Sequence, residues 1–190
     1  MERAYTEDQS FDSVDFSTGN TLVGEYENCR FMNCNFANSN LSGIPFNNCT
    51  FDNCNLSMAI LAGTAFRDCS LTGCKLLGLH FEHCNEYGLS IRLDNCILSH
   101  ASFYKRKLKQ FPCKDCKLLE VDFTEADLTG AVFSNCDLAG AVFDRTVLEK
   151  ADFRTAYNYT INPETNRLKK ARFSTEGLAG LLGKYDIIIE

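Results

Sequence analysis

A repeat of twenty residues constrains this chain more than any other feature of its sequence. Cysteines recur at that spacing in three columns, which are Cys29/Cys49/Cys69, Cys34/Cys54/Cys74 and Cys96/Cys116/Cys136. Within each repeat a large apolar residue returns at every fifth position, as in Phe31, Phe36, Leu41, Phe46, Phe51, Leu56, Leu61, Phe66, Leu71, Leu76 and Phe81. A period of five nested in a period of twenty indicates four short segments per turn of a coil, with like side chains stacked along its axis. The sequence therefore predicts a solenoid.

The five-residue period runs in two frames. The first frame extends from Phe11 to Phe81 and the second from Leu93 to Phe153. Between them the period slips by two residues, and Glu86 stands where an apolar residue belongs. We expect a bulge or small kink there, with Gly88 as the residue that adopts a positive φ. The chain is therefore divided into a first repeat block (1–83), a register break (84–92), a second repeat block (93–155) and a C-terminal cap or dimerisation segment (156–190).

The positions of the cysteines argue against a disulfide framework, although the chain has eleven of them. Nine of the eleven lie two residues before the apolar centre of a five-residue repeat, and we call this slot the small-residue position. Elsewhere in the chain the same position holds Ala, Ser or Thr. A slot restricted to small side chains indicates inward packing, where a free cysteine behaves as a compact hydrophobe. We expect buried thiols, kept reduced by their compartment.

The remaining chemistry-bearing residues do not form a recognisable catalytic or metal site. Cys113 and Cys116 form the one CxxC motif of the chain, but no second CxxC or pair of histidines completes a set of four ligands. His80, His83 and His100 are expected to point outward as ordinary surface residues. An acyltransferase of the left-handed β-helix class would repeat every six residues, whereas this chain repeats every five. We therefore expect no enzymatic activity, no metal and no cofactor.

The repeat pattern is lost over residues 154–173, which we interpret as an extended segment with a turn at Asn162–Glu164. Ser174 is then placed to cap the start of a short helix and Gly183 to end it. Residues 184–190 are interpreted as a short strand. Because the end of a solenoid must be covered, the apolar residues here predict a homodimer interface or a cap on the last coil. The candidates are Leu178, Leu181, Leu182, Ile187, Ile188 and Ile189.

The repeats resemble a known family. The segments FMNCNFANSNL, ADLTGAVFSNCDLAGAVF and LEKADF match the consensus A(D/N)LXX, so the chain from Phe11 to Phe153 resembles the pentapeptide-repeat family. That resemblance implies an all-β fold, a right-handed quadrilateral parallel β-helix with one five-residue repeat on each side. A short C-terminal helix and strand complete the expected fold.

The arrangement of two repeat blocks and an apolar C-terminus is similar to that of the Qnr, MfpA and McbG members. Those proteins protect DNA gyrase and topoisomerase IV against quinolones or peptide toxins, and an acidic rod that mimics B-DNA is their proposed device. The resemblance therefore implies a non-enzymatic, DNA-mimicking protein with gyrase or topoisomerase IV as partner. The alternative is a structural interaction scaffold with a different protein partner.

The charge agrees in sign with DNA mimicry, since a DNA mimic needs a basic partner. The formal net charge is -6 and the pI is about 5.1. Residues 104–118 are an exception, with six basic residues and one acidic residue. The twenty-residue period stacks these cations against acids of the next coil, in the predicted ladder Lys105–Glu125–Arg145 and the predicted pairs Lys107–Asp127 and Lys117–Asp137.

This pairing leaves some acidic residues without a predicted partner. They are candidates for a surface that binds a basic partner, together with the acidic N-terminal half of the chain, although the spacing distributes them over several faces. The candidates in the second block are Glu120, Asp122, Asp144, Glu149 and Asp152.

The sequence also predicts where the protein resides. No apolar run approaches the ~20 residues that a membrane span requires. The first ten residues, MERAYTEDQS, lack the basic and then apolar pattern of a secretory signal. We therefore expect a cytoplasmic protein without membrane contact and, given its negative charge, without direct binding to nucleic acid.

Overall fold

The chain forms a parallel β-solenoid in the computed structural model, which describes residues 4–18, 22–185 and 187–188. Its strands pair in parallel with partners twenty residues away, as in the column Phe11, Phe31 and Phe51. The strands are β1 (Tyr5–Glu7), β2 (Ser10–Asp12), β3 (Glu25–Glu27), β4 (Arg30–Met32), β5 (Pro45–Asn47), β6 (Thr50–Asp52), β7 (Ala65–Thr72), β8 (Leu89–Asp94), β9 (Pro112–Lys114) and β10 (Val132–Ser134). The predicted all-β repeat fold is confirmed.

Four sides make up each turn of the solenoid. We name each side by the apolar centres that it stacks, in chain order: side A has Phe11, Phe31 and Phe51; side B has Phe16, Phe36 and Leu56; side C has Leu41, Leu61 and Phe81; side D has Tyr26, Phe46 and Phe66. Parallel bridges join successive coils on each side, for example Asp12 to Met32, Asn35 to Asn55, Asn40 to Ile60 and Asn47 to Arg67.

The corners between sides depend on one backbone conformation. In most repeats the second residue after the apolar centre has a positive φ, such as 53° at Asn28, 51° at Asn48 and 52° at Asp68. Asn, Asp and Gly tolerate this left-handed conformation best. The preference explains why Asn recurs at this position in the first block. In the second block Lys105 and Glu125 adopt the same conformation, both with a φ of 58°.

The core is a set of axial stacks. The rings of Phe31 and Phe51 lie 4.9 Å apart and nearly parallel, and those of Phe81 and Phe103 lie 4.4 Å apart. These four rings are essentially inaccessible to solvent. Burial of this apolar area, at roughly 25 cal/mol per Å², is the main stabilisation that each coil obtains from its neighbours.

The small-residue position is inward, as predicted, and it also carries hydrogen bonds. All eleven cysteines are free and buried. The Cys49 thiol donates to the carbonyl oxygen of Tyr26 on the preceding coil, at 3.5 Å, and the Thr64 hydroxyl donates to Leu41 in the same way, at 2.7 Å. Burial raises the pKa of the Cys84 thiol to about 12. These contacts explain why the position accepts Cys and Thr as well as Ala.

The predicted slip is present between the two blocks. Ser70 pairs with Arg92, so the offset is twenty-two residues instead of twenty, and a register shift lies between Phe66 and Cys69. The prediction that Gly88 adopts a positive φ is wrong, because Gly88 is not among the residues with that conformation. Gly88 is instead required by close packing: a Cβ atom there would lie 2.6 Å from the Cβ of Ala65.

A buried arginine holds the inserted turn in place. Arg106 occupies a small-residue position and is 8% exposed. Its guanidinium donates to the carbonyl oxygens of Cys84 at 3.3 Å, Asn85 at 2.6 Å and Glu86 at 3.4 Å. Side-chain hydrogen bonds thus satisfy carbonyls in the region where the two extra residues interrupt the regular ladder.

The stacking continues beyond the end of the sequence pattern. Parallel bridges join Asp137 to Tyr157, Val147 to Arg167 and Asp152 to Arg172. The rings of Phe153 and Phe173 stack at 5.4 Å. The interpretation of residues 154–173 as an extended segment outside the repeat is therefore wrong, because these residues form one further coil. The turn at Asn162–Glu164 is confirmed, with the Glu164 N–H donating to the Asn162 side chain at 3.0 Å.

The C-terminal helix begins as predicted but ends differently. The Ser174 hydroxyl accepts a hydrogen bond from the Gly177 N–H at 3.1 Å. The α-helix α1 (Ala179–Leu182) lies between two 3-10 turns, Glu176–Leu178 and Gly183–Tyr185. Gly183 has a φ of −54°, so its predicted role as a left-handed C-cap is wrong.

The predicted C-terminal strand is not present in the described residues. Lys184 and Tyr185 belong to the second 3-10 turn, and Ile187 and Ile188 pair with no strand. Ile189 lies outside the described residues. A strand there would need a partner edge, whereas the last coil is covered by the helix, whose Gly180 carbonyl accepts the Ile161 N–H at 2.8 Å.

We predict that the eleven thiols of the native protein react slowly with a maleimide reagent, because all are buried and the reagent cannot reach them. The same reagent should modify all eleven in guanidinium chloride, as counted by mass spectrometry. Rapid labelling of several thiols in the folded protein would contradict the inward placement of this position.

We predict that Arg106→Ala lowers the free energy of unfolding by about 2–3 kcal/mol, because it leaves buried carbonyls without donors. The measurement is denaturant unfolding followed by circular dichroism. The neighbouring exposed residue provides the control, and Lys107→Ala should change the free energy of unfolding by less than about 0.5 kcal/mol. Equal stability of the Arg106 variant and the wild type would show that the inserted turn is held by other contacts.

Candidate functional site

The candidate acids of the second block do not converge on one face. By register, Asp122 and Asp144 lie on side C, Glu149 on side D and Asp152 on side A, while Glu120 occupies the corner after side B. This agrees with the expected distribution over several faces. The structure therefore does not join these five residues into one acidic patch.

Four of these five acids have a nearby basic partner, so the expectation that they lack partners is wrong. Asp122 is the exception, and its carboxylate accepts the Thr124 N–H at 2.8 Å. The pairs are Glu149 with Arg167 at 2.6 Å, Asp152 with Arg154 at 2.7 Å, Asp144 with Arg145 at 3.2 Å and Glu120 with His100 at 3.4 Å. Arg167 belongs to the last coil, which the sequence pattern did not stack on the second block.

One of these pairs shifts the titration of its carboxylate. Hydrogen bonding from the Arg154 guanidinium holds the pKa of Asp152 below its ordinary value. The stabilisation from this carboxylate is present above its unfolded-state pKa and is lost as the pH falls through its lowered pKa in the folded protein. The second block is thus charged at neutral pH, but its charges are largely compensated by neighbours.

The predicted charge ladder between the basic coil and the next coils is partly confirmed. Glu125 lies between Lys105, at 3.5 Å, and Arg145, at 3.2 Å. Such exposed pairs contribute ~0.2–1 kcal/mol each and help to set the register. Asp127 also has a basic partner, but it is Lys109, at 3.5 Å, and not the predicted Lys107.

Two cations of the basic coil share the predicted register without forming an ion pair. Lys107 bridges to Asp127 and Lys117 bridges to Asp137 through their backbones. Their ammonium groups lie within 4.0 Å of no carboxylate in the ranges that the structure describes. Lys107 and Lys117 are therefore free to interact with a ligand or solvent.

The N-terminal half presents a different kind of acidic surface. Carboxylates from three coils flank the corner between sides D and A, and we call them the N-terminal acidic surface: Glu7, Asp8, Asp12, Glu25, Glu27 and Asp52. Glu7 and Glu27 lie directly beside each other in register. Arg30 lies on side A within this area, but it forms no ion pair with a described residue.

Amide donors, rather than cations, contact this surface. The Asn47 side chain donates to Glu25 at 2.7 Å, and the Asn48 side chain donates to Glu27 at 2.8 Å. A hydrogen bond from the Asn33 side chain lowers the pKa of Asp12. An amide stabilises a carboxylate without cancelling its charge, so this surface remains negative at neutral pH. The charge distribution of the sequence points to this half, but the grouping of the acids on two adjacent sides follows only from the register.

The cysteines and histidines do not form a metal centre in the described part of the chain, where no group of three or more His, Cys, Asp or Glu could hold an ion. Cys113 and Cys116 are both buried, and the Cys113 sulfur lies 3.7 Å from that of Cys136. Burial raises the pKa of the Cys113 thiol. The arrangement fits core packing. His80 is on the surface, where it contacts Glu82 at 2.8 Å.

The C-terminal apolar residues divide into covering and exposed positions. Leu181 packs against the core, and Leu182 is half-buried. The helix approaches Tyr159 so closely that a Cβ atom on Gly180 would lie 2.3 Å from the Tyr159 carbonyl oxygen. The exposed fractions of Leu178, Ile187 and Ile188 are 47%, 55% and 88%. Ile189 lies outside the described residues.

Among the described residues, no helix has the length and apolar character needed to cross a membrane.

Comparison with protein families gives two matches, and both describe pentapeptide repeats. A model of nine copies matches residues 26–70, and a model of eight copies matches residues 116–156. No curated protein matches the chain.

Solved structures provide similar chains. HetL, a pentapeptide-repeat protein involved in heterocyst differentiation regulation in the cyanobacterium Nostoc sp. strain PCC 7120, is 17% identical, with a TM-score of 0.50. The match covers 91% of this chain and 85% of HetL. Trypsin-treated QnrB1, a plasmid-mediated fluoroquinolone resistance protein, is 22% identical over 98% of this chain and 100% of its own, with a TM-score of 0.46. The matched repeats and the parallel solenoid agree: residues 26–70 and 116–156 are pentapeptide repeats within a parallel β-solenoid.

Proposed function

We propose that this protein is a non-enzymatic binding protein that presents a negatively charged solenoid surface to a basic protein partner. The observation that carries the proposal is the N-terminal acidic surface, where six carboxylates flank one corner over three coils. Three of them, Glu25, Glu27 and Asp12, accept hydrogen bonds from asparagine side chains, and none of the six forms an ion pair with a described residue. A surface of this kind attracts a partner with a complementary positive groove.

The charge density of this surface is of the same order as that of DNA. Neighbouring strands lie ~4.8 Å apart, so three coils span roughly 14 Å of the axis. Six carboxylates and Arg30 give a net of five negative charges over that length, roughly one per 2.8 Å, whereas B-DNA carries one per ~1.7 Å of its axis. We propose DNA gyrase or topoisomerase IV as the partner, because these enzymes bind DNA through basic surfaces and because the repeats resemble proteins that protect them.

The second repeat block contributes differently in this proposal. Three of its five candidate acids are paired with an arginine, so Asp144, Glu149 and Asp152 supply a weaker field than the acids of the first block. Asp122 has no such neighbour among the described residues. A scaffold that binds an unrelated protein is the alternative function, and the paired charges of this block favour it.

The proposal places the protein in the cytoplasm, where a topoisomerase would be accessible and buried thiols would stay reduced. It requires no metal or cofactor, and it includes no direct contact with nucleic acid. The exposed residues Leu178, Ile187 and Ile188 form an apolar end that a second copy of the chain would cover. We therefore propose a homodimer through the C-terminus.

We predict that the purified protein restores gyrase supercoiling in the presence of ciprofloxacin and that its binding to gyrase weakens steeply as salt is raised. The double substitution Glu25→Lys/Glu27→Lys should weaken binding at least ~tenfold, because it reverses two charges of the N-terminal acidic surface. The matched double substitution Asp144→Lys/Asp152→Lys should weaken binding less. Thermal unfolding of each variant by circular dichroism controls for loss of fold.

Absence of gyrase binding by the wild-type protein would refute the topoisomerase proposal. A larger loss from the Asp144 and Asp152 substitutions than from those of Glu25 and Glu27 would move the binding surface to the second block. Equal binding by both variants would favour the scaffold function, since the partner would then be recognised by something other than these charges.

We predict that Ile187→Asp/Ile188→Asp converts a dimer into a monomer without changing the circular dichroism spectrum, because both side chains are exposed and the coils do not depend on them. Analytical ultracentrifugation measures the mass in solution. The control is Val142→Asp, which places the same charge at an exposed apolar residue of side C, 46% exposed. A wild-type monomer, or a dimer that survives the double substitution, would contradict the proposed interface.

A further inference from the structure

The backbone ladder is interrupted on one side of the solenoid. On sides A, B and C the coil that begins with the inserted turn is joined to the following coil by the bridges Leu93–Cys113, Ile97–Lys117 and Ser102–Asp122. On side D no bridge joins residues 85–92 to residues 106–112, all of which the structure describes. No backbone hydrogen bond joins 85–91 to 106–111 either. These two coils are thus open to each other along this side alone.

The inserted turn explains this opening. Strand β8 (Leu89–Asp94) runs straight through the corner between sides D and A because it pairs with the long strand β7. The next coil turns that corner in the ordinary way, with a φ of 58° at Gln110, and begins β9 at Pro112. Pro112 has no N–H to donate, so the first four residues of β8 lack a ladder partner on that edge.

A groove occupies the space left between the two coils. Arg106 closes one end with its hydrogen bonds to the inserted turn. Beyond it lies a depression of about 550 Å³, which continues past Arg92 and Pro112 into a second one of about 300 Å³. The accessible apolar residues of its floor are the half-buried Leu89 and Pro112, which lie over the buried Ile91, Leu108 and Phe111.

The rim of this groove is basic, in a chain whose net charge is -6. Arg92, Lys107 and Lys109 line the first depression with one acid, Asp68, which accepts the Ser90 hydroxyl at 2.8 Å. The second depression adds Lys114 and Asp94, which pair at 3.6 Å. Lys109 pairs with Asp127. Arg92 and Lys107 form no ion pair with any residue that the structure describes, and both are exposed.

We propose that this groove binds an extended acidic segment of a partner protein. Its carboxylates would lie on Arg92 and Lys107, and its apolar side chains would pack against the floor. An extended chain places alternate side chains on opposite faces, which suits a basic rim above an apolar floor. The unpaired edge of β8 offers backbone groups to such a segment.

A nucleic acid fits the same groove less well. Phe111 is the one aromatic residue of the lining, and it is buried, so no ring is available for a base to stack on. The negative field of the whole chain also repels a long polyanion more strongly than a short peptide with few charges. This binding site does not depend on the proposed role with gyrase, since it uses the opposite sign of charge.

The probe for this proposal is a library of phage-displayed random octapeptides, selected on the purified full-length chain. We expect enrichment of sequences in which two or more Asp or Glu residues alternate with apolar residues. An enriched peptide, synthesised with a fluorescent label, should lose affinity at least ~tenfold for Arg92→Glu/Lys107→Glu in an anisotropy titration. The affinity for the wild type should also fall as salt is raised.

The matched control is Lys75→Glu/Lys117→Glu. Like Arg92 and Lys107, these residues are exposed, lie one residue before an apolar centre and form no ion pair with a described residue. The peptide should bind this variant as it binds the wild type. If the Arg92 and Lys107 double reversal does not fold, Arg92→Gln/Lys107→Gln replaces it.

Three outcomes would overturn the proposal. The first is a selection that enriches no acidic sequences. The second is an equal loss of affinity in both double variants, which would indicate attraction by net charge and not by the groove. The third is a single-stranded oligonucleotide that binds more tightly than the peptide and depends on Arg92 and Lys107, which would make nucleic acid the occupant.

Discussion

Axial stacking of like side chains, held in register by backbone hydrogen bonds along the axis, is the constraint on which the rest of the structure depends. Regular coils contain twenty residues each, because a bond such as Asn55 N–H to Cys34 carbonyl, 3.0 Å, is repeated from coil to coil. The inward rings can stack only if the corners recur at the same places. The left-handed residue at each corner therefore matters as well as the apolar centre. A charge on the surface is less constrained, because it takes no part in the backbone ladder.

This difference decides what could be predicted from the sequence. The inward positions were predictable because Phe31 or Cys49 has few alternatives that fill the same space. The corners were harder, since Asn28 indicates a left-handed residue but Lys105 and Glu125 adopt the same conformation without any preference for it. The last coil was missed because its hydrogen bonds do not require the consensus. There Asn166 fills the small-residue position, and its side chain donates to the Phe143 carbonyl at 2.9 Å.

The acidic site was predictable only in part, for the same reason. Glu149 and Asp152 counted as unmatched while Arg167 and Arg172 were placed outside the stack, and the extra coil supplies these two partners. Likewise, the sequence alone indicates only that Arg106 is one of the six cations in the basic segment 104–118. Its inward role follows from the two inserted residues, whose carbonyls have no regular donor. Periodicity locates a residue in a regular coil. It does not show which backbone hydrogen-bonding groups lack a partner in an irregular coil.

The insertion and the distribution of charges make the two ends of the solenoid different from each other. Carboxylates bonded to amides keep the first coils negative, whereas ion pairs compensate most charges of the later coils. Between these regions, the missing ladder on side D exposes Arg92 and Lys107 beside an apolar floor. A partner with one basic and one acidic element could thus engage both surfaces in a single orientation only. Since the insertion changes the register by two residues and leaves the other three sides bonded, this polarity arises without loss of the stack.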